Sequence, residues 1–150
     1  MGDVDALIEL TNDEELHMDG ARYVAKEHDP IDTLVIVMDV TKQLKKKINF
    51  TIENVSGVNL GHIKKAIKGI KCRYVYNPNG EESEAWLYRD MGFAVIEIDI
   101  PVVGGYHNLD AQANIEDIKM VGDVVRALVE YFKDKDRAQI SDNYRVDAPQ

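Results

Sequence analysis

Thr33-Leu34-Val35-Ile36-Val37-Met38 is a continuous apolar run closed by Asp39. A segment with no polar side has the signature of a strand covered on both faces, so the fold must supply layers above and below it. The surrounding pattern provides them. Gly20 to Glu27 reads as a short helix stopped by Asp29-Pro30. Lys47 to Val55 alternates, with Ile48, Phe50 and Ile52 on one side, and suits a half-exposed strand. Leu60, Ile63, Ala66 and Ile67 recur at helical spacing between Asn59 and Lys68, with Gly69 as the stop. Cys72 to Tyr76 reads as a strand before the Asn77-Pro78-Asn79-Gly80 turn, and Glu84 to Met91 as a helix ended by Gly92. Ala94 to Ile100 is a further strand closing at Pro101. Asn114 caps a long amphipathic helix whose buried stripe is Ile115, Ile118, Val121, Val125, Leu128, Val129 and Phe132. At the N-terminus, Val4 to Leu10 reads as a strand followed by turn residues Thr11-Asn12-Asp13. Strands alternating with helices predict an α/β protein, with helices on both faces of a mostly parallel or mixed sheet.

Composition narrows the function. With 150 residues, 45% of them hydrophobic, the chain can bury one core. Its net charge of -9 argues against nucleic-acid binding, because no basic surface could neutralise a row of phosphates. The lysines at 42–47 and 64–71 read as solvated faces. Cys72 is the single cysteine, which excludes an internal disulfide and a multi-thiolate zinc site. There is no signal peptide and no apolar run long enough to span a bilayer, so a soluble cytoplasmic protein is the expectation.

Ligands of open α/β sheets gather at the carboxyl ends of the strands. Three strand ends carry candidate chemistry. The first leads to the adjacent pair Glu14-Glu15, the second ends on Asp39, and the last leads through Gly104-Gly105-Tyr106 to His107. Two adjacent carboxylates can aim differently, one holding a metal while the other acts as a base on water. Carboxylates with an imidazole suit zinc, or cobalt or manganese, in a hydrolytic site. The glycine pair would let the backbone bring the His107 ring close to an ion.

Three segments resemble di-zinc aminopeptidases, nearest the tetrahedral aminopeptidase and glutamyl aminopeptidase family. Glu14-Glu15-Leu16-His17-Met18-Asp19-Gly20-Ala21 is similar to the family's E-E-V-G-x-x-G-A. The run ending in Asp39-Val40-Thr41 is similar to the strand closing in D-V-T. Ile100-Pro101 through His107, Asn114 and Asp117 follows I-P-x-R-Y-x-H-S-P-x-E-x-x-D-x-x-D. The resemblance covers roughly residues 3–133 and implies the C-terminal half of a peptidase catalytic domain. Residues 134–150 are then expected to be a polar, frayed tail.

The resemblance implies an α/β/α sandwich that removes N-terminal residues from peptides. Glu14 would be the general base, Glu15 and His107 ligands of one zinc, and Asp39 a ligand of the other. The chain also departs from the pattern. His17 replaces a glycine, the arginine before the histidine is replaced around Gly104, and Asn108-Leu109 replaces Ser-Pro. Ala111 replaces a glutamate, and Glu82 stands where an aspartate is usual. The family's first zinc-binding histidine, its bridging aspartate and its inserted oligomer-building domain have no counterpart in the sequence. Catalytic zinc takes three protein ligands, so the expectation is half a site that binds zinc weakly unless His17 or Asp13 substitutes or a partner chain completes it. A homo-oligomer, or a complex supplying the missing half, is expected. The alternatives are a non-catalytic scaffold keeping the peptidase core and a fragment of a longer gene.

Overall fold

Hydrogen-bonded pairing makes β4 the axis of the molecule. The computed structural model describes residues 6–11, 16–44, 46–105 and 107–142. Its elements run α1 (Asp19–Lys26), β1 (Leu34–Lys42), β2 (Phe50–Ser56), α2 (Leu60–Ile67), β3 (Tyr74–Asn77), α3 (Glu84–Asp90), β4 (Ala94–Val103), β5 (Gln112–Ala113), α4 (Ile115–Phe132) and α5 (Arg137–Ser141). The mixed sheet has the order β1-β4-β2-β3, with β5 joining the end of β4. β1 lies parallel to β4, β2 antiparallel to β4, and β3 parallel to β2.

Alternation along the strands divides the core between two faces. Phe50, Ile52, Ala94, Ile96 and Ile98 point to one face and meet Ile63 and Ile67 of α2, Val121, Val124, Leu128 and Phe132 of α4, and Ile140 of α5. Val37 and Val95 point to the other face and meet Ala21 and Ala25 of α1 with Ala85, Leu87 and Tyr88 of α3. The result is an α/β/α arrangement, as the sequence predicts. Helix starts are fixed chemically: Asn59, Ser83 and Asn114 each accept a hydrogen bond from the backbone two residues on, which satisfies an otherwise orphaned donor.

Several details differ from the sequence reading. The apolar run at 33–38 is covered on both faces, Leu34 and Ile36 against one helical cluster and Val35 and Val37 against the other, but among the described residues it lies at the edge of the sheet. β1 also continues past Asp39 to Lys42, and Met38 is 56% exposed. β2 is the opposite case, buried from Phe50 to Asn54 because it sits between β4 and β3. β3 begins at Tyr74, leaving Cys72 before it. β4 runs through Pro101. Gln43 donates its N–H to Val102 O at 3.2 Å, so even positions of β4 turn toward β1. The N–H that Pro101 lacks would therefore face the gap between the end of β2 and the start of β5, where no bond is lost.

Ile115 and Ile118 are exposed, so the buried stripe of α4 starts only at Val121. Ordered structure also extends past Lys133. α5 carries a capping box between Asp136 and Gln139, and Arg137 donates to Pro30 O at 3.0 Å and Gly92 O at 3.1 Å. The described part of the expected first strand, Ala6 to Leu10, has no regular secondary structure. Its Leu7, Ile8 and Leu10 are 69%, 83% and 94% exposed.

Candidate functional site

The parallel pairing of β1 with β4 sets Asp39 opposite Asp99. Both strands therefore point their carboxyl ends the same way, toward the loop that carries His107. Asp39 is half-buried, and its Oδ1 accepts the N–H of Val40 at 2.7 Å. Gly104 and Gly105 follow β4 with φ of 86° and 106°, and His107 itself adopts a φ of 59°. These left-handed steps make the turn, and a Cβ on Gly104 would collide with the backbone carbonyl of Asp110. The glycine pair supplies this left-handed turn, and the His107 side chain is exposed.

His17 lies in the turn before α1, where its carbonyl accepts Arg22 Nε at 3.1 Å. With Leu16, Met18, Asp19, Arg22 and Glu82 it lines an open concavity of about 510 Å³. Asp13, Glu14 and Glu15 fall outside the described residues. Among the described residues, no group of three or more histidine, cysteine, aspartate or glutamate side chains is arranged to hold a metal ion. Asp39 and His107 alone fall short of the three protein ligands that catalytic zinc takes.

An acidic floor that sequence reasoning missed lies on the same sheet face as Asp39. Register puts Glu53 opposite Glu97 and Thr51 opposite Asp99, next to Asp39 on β1. Glu53, Glu97 and Asp99 are all buried. Burial pushes the Asp99 carboxyl up to about 9, and the neighbouring charges of Glu97, Glu53 and Asp39 add to the effect. Glu97 is raised by the same loss of water, partly offset by hydrogen bonds from Ser83 and Asn54. Asn54 sits at the β2 bulge with φ of 45° and donates to Glu97 Oε2 at 2.5 Å and to Glu81 O at 2.9 Å.

Gly80 passes so close to Glu53 that a Cβ there would strike its carboxylate. The loop before α3 is thereby pressed onto the floor. Glu84, at the start of α3, is also raised by burial, and its Oε1, like Asp99 Oδ1, is buried with no partner among the described residues. At neutral pH Asp99 keeps its proton. The available signal was the alternation Ile96-Glu97-Ile98-Asp99-Ile100, which puts two acids on one face. That pattern does not reveal whether the face is wet or dry.

No family model matches the chain, and no curated protein matches it. A solved structure does: PhTET1-12s, a tetrahedral aminopeptidase found as a dodecamer in the asymmetric unit, superposes with a TM-score of 0.57 at 15% identity. The match covers 79% of this chain and 39% of that one, so the chain spans well under half the length of its structural relative. At that identity the likeness speaks for the fold alone, a mixed sheet between two helical layers.

Proposed function

We propose that this chain is a metallopeptidase-like module of the aminopeptidase type, incomplete as a single chain and working in the cytoplasm. The observation that carries the reading is the superposition on a tetrahedral aminopeptidase, in a chain whose acidic pair, D-V-T strand and histidine loop occur in the order of that family's motifs. Glu14 would take a proton from the attacking water. Glu15 and His107 would hold one ion and Asp39 another, with His17 as a substitute ligand. Zinc suits this donor set, with cobalt or manganese possible. When bound, such an ion supplies Lewis acidity and lowers the pKa of its water. Weak binding is expected from so few ligands, and a further copy or a partner chain would complete the site. The multimeric state of the structural relative favours self-association.

A second reading, a scaffold that keeps the fold without catalysis, is favoured by the departures from the family's motifs at His17, Gly104 and Ala111. Metal analysis of the purified protein, paired with an aminopeptidase assay, separates the two. On the peptidase reading, His107→Ala and His17→Ala each abolish stoichiometric zinc, whereas His28→Ala does not. Wild type that holds no metal in excess zinc supports the scaffold.

A further inference from the structure

Among the described residues, an unpaired strand edge and an exposed apolar segment stand on this molecule. The edge is the outer side of β1. Odd positions of β1 turn toward β4, as Gln43 does just beyond it, so Leu34, Ile36, Met38 and Val40 direct their backbone groups outward. Nothing among the described residues pairs with this edge. The Val40 N–H on this edge turns back to the neighbouring Asp39 side chain. Met38 and Val40 are exposed beside it. The nine-residue edge carries charge only at Asp39 and at its last residue, Lys42, so its Leu34–Met38 stretch is open to strand addition.

The segment is Ala6-Leu7-Ile8-Glu9-Leu10-Thr11, which has strand composition but no strand partner, with its three large apolar side chains in water. Within its own chain the segment touches the layer of α1 and α3, which packs on the Val35–Val37 face of β1. Glu9 lies 3.8 Å from His28, and Thr11 hydrogen-bonds Glu84 of α3.

We infer that residues 6–11 of one copy add as a strand to the β1 edge of a second copy, making a reciprocal dimer. Alternation supports the fit. Ala6, Ile8 and Leu10 fall on one face and can cover Met38 and Val40, while Leu7, Glu9 and Thr11 continue the face of Val37 and Thr41. Six residues span about 20 Å in a strand, which lies within the length of β1. Glu9 is the only charge in the segment and can stand beside Val37 or Thr41 instead of Asp39. The inference names a surface for self-association and makes no claim about catalysis.

The test reads assembly, so it is independent of any peptidase activity. In light scattering over a concentration series, the wild type should move from the 17.0 kDa chain mass toward twice that value. Ile8→Asp and Met38→Lys, both at exposed positions that leave the core intact, should each weaken the dimer at least tenfold, with far-UV circular dichroism unchanged. On a Cys72→Ser background, mixing an Ile8→Cys copy with a Met38→Cys copy and a short bismaleimide should yield a linked heterodimer. A monomer at every concentration overturns the inference, as does a dimer indifferent to both charge substitutions. Efficient self-linking of Met38→Cys alone would show β1 pairing with β1 instead. Linking only when both cysteines share one chain would show the segment docking on its own edge. Either result overturns the exchange.

Discussion

Replacing Asp99 by asparagine should stabilise this protein, and the gain should depend on pH in a specified way. The folded chain keeps the Asp99 carboxyl protonated up to about pH 9, whereas the ordinary value is 3.8. Between those values the folded state holds a proton that the unfolded state has released, so stability falls as pH rises. The loss is about 1.4 kcal/mol per pH unit above 3.8, or roughly 4 kcal/mol at pH 7 as a ceiling. Stability is fully present below pH 4 and declines until the folded group itself ionises near 9. Asparagine has nearly the same shape and cannot ionise, and its amide can donate toward the acids around it. Asp99→Asn should therefore match wild type near pH 4 and exceed it by about 2–4 kcal/mol at pH 7. Urea unfolding at pH 4, 5.5, 7 and 8.5, with chelator present, measures the difference. With a urea slope of about 1–3 kcal/mol per molar, the midpoint at pH 7 should rise by roughly 1 M or more. A variant gap that does not widen between pH 4 and pH 7, or a variant less stable than wild type at pH 7, would refute the claim that a buried neutral acid sits there.

Two further predictions concern the core and the C-terminal helix. Leu128 is fully buried between α4 and the sheet, so Leu128→Ala should cost about 2–5 kcal/mol in the same urea assay, and a loss under 1 kcal/mol would mean that this layer is loosely packed. Arg137→Ala removes two charge-assisted bonds to Pro30 O and Gly92 O and should cost about 1–3 kcal/mol. It should also speed hydrogen exchange in α5, and no change in either would show that α5 is not fastened to the sheet.

What the sequence reveals about this fold follows from which physical property each residue reports. Helices were legible because their apolar spacing and the Asn114 cap are local features, and that cap is present. The order of strands in the sheet is not local. Leu34 to Met38 is apolar enough for a sheet centre, yet the chain places it at an edge. Phe50 to Asn54 carries Thr51, Glu53 and Asn54 and is still buried, since β4 and β3 flank it. Ile115 and Ile118 continue the helical stripe of α4 beyond the part of the sheet that could cover them. In the candidate site, the Gly104-Gly105 turn could be read from its glycines, whereas β1 runs on past the Asp39 expected to end it. The burial of Glu97 and Asp99 could not be read, because it depends on the loop at Gly80 and on Glu84 closing over them from a different part of the chain.

The place of β4 in the sheet has a consequence for how the protein is made. β1 and β2 do not touch each other; each is joined to the sheet through β4, which begins at Ala94. A nascent chain that has emerged only as far as Gly92 has the β2–β3 pair and no partner for β1. Its longest apolar run must wait unpaired for more than fifty further residues to be added, at about 5–20 residues per second. Pairings so distant in sequence form slowly once available. The interval before β4 arrives is therefore when this chain is most exposed to aggregation, and chaperone capture on the ribosome should centre on residues 34–40.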